Sequence, residues 1–423
     1  MTMKSVSRCS AFGMCLLALL STQCAQPTQA AFAEPEGLSQ CAVRVPGDRH
    51  IAALLPFEGA LAIGPSLQAA AIQALHEVNE GGGVTADGLT LGLVVCNTRG
   101  DRDTAVRVMR EVIALKPKIL AVIGPIDYTS FNAAAQDALR QTSVVIVSPV
   151  ADFSGIAGEA GNAFRFGASF EALATGALAA GGPGRRGMIQ GTDGNSAAFA
   201  GAFKDFLQNP PEAYEQLDIT AANLKLDQIE NYRSSIVYLI GEYEDAALIL
   251  DLAADRDMIP TWVLPPWLKR SEFVEAVQDQ KYLREKVVGV GPSYTRRPEH
   301  LQFADAYRDI QGEKAPVYTD HVYDATFALA MAVHTASTLT ASGVRSALQS
   351  LFTAPADSAT PVEPGQWEVF LSTAGGPVSY RGATGPLVLD EDGNRAVDVE
   401  TWSVQMDVFR TEDCVSARGG ACE

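Results

Sequence analysis

The sequence predicts an α/β protein built as two lobes, each a doubly wound sheet with helices packed on its faces. Three observations carry this. From residue 50 onward, short β-branched runs alternate with helical segments, and strand–helix–strand crossovers make parallel sheets. After four strands the alternation restarts near Asn162, so a second lobe follows the first. The chain has 423 residues, 47% apolar and 19% charged, enough for two cores of ordinary size.

Taken in order, His50–Leu55 reads as the opening strand, followed by an Ala-rich helix to about Asn79. The run Glu80-Gly-Gly-Gly83 punctuates before a strand at Leu91–Val95 and a helix at Asp103–Leu115. Ile119–Ile123 and Val144–Val147 flank an Ala-rich helix and supply strands three and four. The second lobe reads as helix 170–180, strand Gly187–Gln190, helix Ala197–Leu207, strand Ser235–Ile240, a helix through GEYEDAALILDLAADRD, and strands Thr261–Leu264 and Val287–Val290. Helices at His300–Gln311, Asp320–Thr338 and Val344–Phe352 return to the first lobe, and 353–366 reads as a surface loop. Arg381–Phe409 has strand character with a turn signal at Asp392-Gly393, which suits a hairpin.

The termini read differently. Lys4 and Arg8 precede a short apolar core, Ala11–Leu20, the pattern of an export signal over residues 1–24. Cys24 follows as in a lipoprotein, although Gln23 stands where a small residue is usual; Ala31-Phe32-Ala33 offers ordinary cleavage instead. Both exits stay open. Residues 25–47 read as a tether. The net charge of −18 argues against nucleic acid and against anionic membrane surfaces. Membrane contact is therefore expected only through an acyl chain on Cys24. Beyond it, Cys41, Cys96, Cys414 and Cys422 suggest disulfides in an exported chain. Cys41 with Cys96 and Cys414 with Cys422 is one of three pairings the sequence allows.

Ligands of open α/β sheets bind beyond the carboxyl ends of strands. Here those ends present Tyr128, Thr129 and Ser130 after the third strand and Asp152 after the fourth. An enzyme is not expected. The five histidines show no HExxH spacing, no G-x-S-x-G elbow occurs, and no cysteine lies in a catalytic context, so neither metal nor cofactor is implied. His321, between Asp320 and Tyr323 at a helix start, reads as structural, and the Gly181–Gly184 loop as a turn.

The order of motifs resembles the type I periplasmic binding proteins, specifically the branched-chain amino acid (Leu/Ile/Val) group that serves ABC transporters. The matching stretches are IAALLPFEGALAIG, NEGGGV, LVVCNTRGD, AVIGPIDYTS, VIVSPVAD, NAFRFGAS, SSIVYLIGEYEDAALILDLAADRDM, FADAYRDIQGEKAPVYTDHVYDATFALAMAV and GATGPLVLDEDGN, from Ile51 to Phe409. The resemblance implies two Rossmann-like lobes joined by a three-stranded hinge, closing on a ligand between them. Crossings near 165, 290 and 378 would give lobe 1 as 48–165 plus 291–377, lobe 2 as 166–290 plus 378–410, and a tail at 411–423.

The family's site carries over only in part. Tyr128, with Thr129 and Ser130 behind it, stands where small hydroxyl residues usually meet the ligand carboxylate. Ser148-Pro-Val-Ala151-Asp152 keeps the expected Ala151 and replaces a Thr by Asp152. Ser196 falls in a segment that lacks the expected Tyr, and Pro265-Pro266-Trp267 offers no acid for a ligand amine. Glu58, Asp127, Glu242, Tyr243 and Trp267 join Tyr128 and Asp152 as candidate walls. Such carboxylates and rings favour a cationic or aromatic ligand over a plain α-amino acid. The expectation is an exported, periplasmic solute-binding protein that takes an amino acid, amine or aromatic compound to an ABC permease. A ligand-sensing module, or a structural envelope lipoprotein with a vestigial cleft, are the alternatives.

Overall fold

The computed structural model describes residues 40–415 apart from 60–61, 86–87, 116–118, 142–143, 153–160, 207–211, 215–221, 294–295, 354–357, 374 and 407. Cys24, the export signal and Cys422 lie outside the described residues.

The first sheet has six strands: β1 (Cys41–Val45), β2 (Arg49–Leu55), β3 (Leu91–Asn97), β4 (Ile119–Ile123), β5 (Val145–Ser148) and β6 (Ala163–Arg165). Their order is β1-β3-β2-β4-β5-β6. Only β1 runs antiparallel to its neighbour. Alternate residues feed two cores, as a pleated strand requires. Ile51, Ala53 and Leu55 pack on one face, with the helix Thr319–Thr335, and Ala52 and Leu54 on the other. That helix is mostly apolar and is buried at every position from Thr319 to Val333, which suits a central position.

The second sheet holds β7 (Arg186–Gln190), β8 (Glu212–Tyr214), β9 (Ile236–Ile240), β10 (Thr261–Leu264), β11 (Val287–Pro292), β15 (Val399–Gln405) and β16 (Val408–Val415). Its order is β16-β15-β11-β10-β9-β7-β8. A small third sheet joins β12 (Thr360–Val362), β13 (Val378–Gly382) and β14 (Gly385–Pro386). The two-lobed, doubly wound architecture is as the sequence predicts.

Several boundaries differ. The expected tether at 25–47 ends in a strand, because β1 pairs with β3 in a register that sets Cys41 opposite Cys96. Those two cysteines form a disulfide. Cys414 is also disulfide-bonded. The third crossing lies after residue 389, not near 378. Val378, Tyr380, Ala383, Leu387 and Leu389 pack into the first lobe's core, and the chain then crosses where Arg395 N–H donates to Arg165 O at 2.9 Å. Asp392-Gly393 turns within that crossing, while the hairpin itself turns at Met406, between β15 and β16. The tail expected at 411–423 therefore begins as part of β16. The strand β8, the helix Ala222–Tyr232 and β12 are too short or too weakly patterned to have been read from sequence.

Candidate ligand-binding site

The strand ends of the two lobes face one another. After β4 the chain turns at Gly124 (φ 81°), where a Cβ would lie 2.7 Å from Leu54 O; only glycine fits both demands. The helix Tyr128–Gln141 follows. Asp127 precedes it and its Oδ1 accepts from Ser130 N–H at 2.8 Å, an N-cap. Its Oδ2 is buried without a hydrogen-bond partner. Burial pushes the Asp127 carboxyl above its usual range, only partly opposed by the Ser130 bond.

Opposite, β7 leads into the helix Gly194–Phe206, capped by Asp193 Oδ1, which accepts from Ser196 N–H at 2.9 Å. The two helix N-termini meet across the gap. Tyr128 N–H donates to Asn195 Oδ1 at 2.9 Å, and a Cβ on Gly194 would collide with Thr129 Oγ1. The lobes are closed on each other here, and glycine is what allows it.

Two further turns complete the second lobe's wall. Glu242 follows β9 at the start of the helix Tyr243–Asp255 and makes no side-chain cap. Burial, then the charges of Asp193 and Glu244, raise its carboxyl to about 7 against the weaker pull of Arg270. After β10, Trp267 sits in a single 3-10 turn, Pro266–Leu268. Its Nε1–H donates to Gly241 O at 2.9 Å and its ring meets the edge of Phe199 at 5.6 Å. The Arg270 guanidinium lies 4.8 Å from the Tyr243 ring centre and donates to Glu272 Oε1 at 2.9 Å.

The first lobe closes the far side with Tyr318 and His321. Tyr318 is left-handed at φ 68°, an unusual conformation for a bulky residue. His321 Nδ1 is 2.8 Å from Asp320 Oδ1, and His300 lies 3.4 Å from the same carboxylate. Burial alone would raise Asp320, but the two imidazoles outweigh it and hold the carboxyl far below its usual range. Together these walls line a cleft that opens to solvent. No group of side chains suited to a metal ion occurs among the described residues.

A family profile described as "Periplasmic binding protein" matches residues 49–367. The chain belongs to that family. The fold agrees with solved structures of binding proteins at low identity. The branched-chain amino acid transporter substrate-binding protein LivJ of Streptococcus pneumoniae, solved with isoleucine, has a TM-score of 0.68 at 17% identity, covering 87% of this chain and 99% of its own. The leucine-binding protein LivK of Thermotoga maritima gives 0.69 at 18%, with the same coverage of both chains. An ABC transporter substrate-binding protein of Desulfitobacterium hafniense, complexed with Leu, gives 0.66 at 16%, covering 86% of this chain and 99% of its own. No curated protein matches in sequence.

In this periplasmic binding protein the predicted site residues divide. Tyr128, Ala151, Tyr243 and Trp267 line the cleft, with Asp127 and Glu242 beside them. Thr129 and Ser130 instead face an adjoining groove between the lobes, because the helix start turns them past the cleft. Asp152 and Ser196 are absent from the described lining. Asp152 Oδ2 accepts from Phe170 N–H at 2.8 Å, and its Oδ1 lies 3.5 Å from Arg165 Nε. It holds the first crossing rather than a ligand. Ser196 is fully buried behind its cap. Glu58 is exposed and lies 3.8 Å from Arg99. The lining also includes Asn195, Phe170, Arg270, Tyr318 and His321, which sequence reasoning did not place there. His321, expected to be structural, pairs with Asp320 and also lines the cleft. Glu242, which follows the neighbouring strand β9, brings a carboxylate to the lining.

Proposed function

We propose that this protein is exported to the periplasm and captures a small molecule between its lobes for an ABC importer, without altering it. The observation that carries this reading is the cleft itself. It is lined from both lobes at the carboxyl ends of their strands, where ligands of open α/β sheets bind, and the Tyr128–Asn195 hydrogen bond joins the lobes beside it. Tyr128, Ala151, Tyr243 and Trp267 would contact the ligand directly. The transporter binding proteins of similar fold, solved with isoleucine and with Leu, support the same role.

A thermal-shift screen of the purified protein against amino acids, amines and small aromatics tests it. Occupancy at 100 times the dissociation constant adds about 2.7 kcal/mol of stability, a clear upward shift. Mass spectrometry of the released compound should return it unchanged. Absence of any shift across all three classes would overturn the capture reading, and a chemically altered ligand would overturn transport without chemistry.

A further inference from the structure

Resting on that capture reading, we propose that the cleft selects a small organic cation, an amine or quaternary ammonium on an apolar or aromatic body, and needs no ligand carboxylate. Asp127 and Glu242 belong to both the cleft and the adjoining groove, so they share one end of the site, together with Asn195. They come from opposite lobes, and closure sets both at that end.

The cations nearest that end, Arg270 in the cleft and Arg102 in the groove, have other carboxylate partners in Glu272 and Asp103. Arg270 is directed to Glu272 and stacked on Tyr243, and Lys269 pairs with Glu400. Arg165 is engaged by Asp152. The groups that act on Glu242 are otherwise like-charged: Asp193, Glu244 and Asp245, with Arg270 the one opposing cation. Asp101 acts the same way on Asp127. Asp127 Oδ2 is buried and lacks a donor; an unmet acceptor in a cleft is what a ligand N–H or cation would satisfy.

Two of the amides that could hold a ligand carboxylate are already used. At the start of the helix Tyr128–Gln141, Tyr128 N–H is taken by Asn195 and Ser130 N–H by Asp127. A helix N-terminus is the usual anion seat, and here two protein acceptors occupy it. The remaining walls are aromatic and aliphatic, with Tyr128, Phe170 and Trp267 beside Ile126, Val150 and Leu173. Tyr128 packs on Phe170 at 5.4 Å, and Phe199, buried behind the lining, meets Phe170 at 5.2 Å and also Trp267. Ring faces attract cations and accept apolar bodies.

Matched probes that differ in one group provide the test. Isothermal titration of the full-length protein would compare isoamylamine, isovalerate and leucine, and in parallel benzyltrimethylammonium and phenylalanine. The expected result is binding of the amine or ammonium, with no binding of isovalerate. E242Q and D127N should each weaken it at least tenfold; Asn retains capping ability at 127. Because a bound cation favours ionised Glu242, amine binding near pH 7 should release protons, read as a buffer-dependent heat that E242Q removes. If leucine or isovalerate binds and the matched amine does not, the cation inference falls while capture stands. If neither probe set binds but the wider screen finds a ligand, the inference falls again and only the capture reading survives.

Discussion

Asp324 and Asp127 are both shielded from water, and the chain treats them in opposite ways. Asp324, 3% exposed inside the first lobe, accepts from Tyr380 Oη–H, Ala383 N–H and Thr384 N–H at 2.8 Å each and from Thr384 Oγ1–H at 2.5 Å. Every lone pair that points inward has a donor, and the network fastens the central helix to the segment before the third crossing. Asp127, at the face where the lobes meet, has one oxygen bonded and the other bare. Buried polar groups are normally satisfied. Asp324 obeys that rule and Asp127 departs from it, which sets the fastened core carboxylate apart from the one at the cleft.

The comparison can be broken most severely at Asp324. Asp324→Ala strands four donors and removes the carboxylate near Arg395, so unfolding in urea should show a loss of about 3–5 kcal/mol. A loss below about 1 kcal/mol would mean the network is ornamental. At the lobe face, Gly194→Ala should leave the fold stable but hold the lobes apart, because the new methyl meets Thr129. Small-angle scattering should report a larger radius of gyration, and ligand affinity should drop by at least roughly tenfold, about 1.4 kcal/mol. Adding Thr129→Ala should recover part of both.

Glu242 gives the next effect. Its folded value of about 7 lies above its ordinary 4.5, so the native state holds a proton that the unfolded chain has released. That contribution is present below about 4.5 and is lost as pH rises through about 7. Urea midpoints of the wild type should fall between pH 5 and pH 8 by more than those of E242Q. Equal slopes would remove Glu242 from the account. Smallest is Asn195→Ala, which deletes one hydrogen bond between lobes. It should weaken ligand binding by about 1 kcal/mol and leave the urea midpoint almost unchanged.

Much of this was legible beforehand. The strands Ile119–Ile123 and Thr261–Leu264 fall at their predicted residues, since β-branched runs between turn residues have few other structures open to them. Placement of side chains was less accessible. Tyr128 and Thr129 are neighbours in sequence, but one lines the cleft and the other the groove beside it, a difference set by helix phase at the cap. Asp152 has the composition of a ligand residue, but Arg165 and Phe170 claim it. Their approach depends on how the crossing folds back, and no local pattern encodes that.

By itself the sequence determined the alternation of strands and helices and the two lobes, because those follow from hydrophobic period and turn chemistry over short distances, while its order of motifs carried the resemblance to the family. Only the tertiary structure decided which residues form the site. Asn195, Glu242, Arg270 and His321 come from four separate segments, and their meeting in one cleft is a consequence of lobe packing, which acts over the whole chain and leaves no local mark.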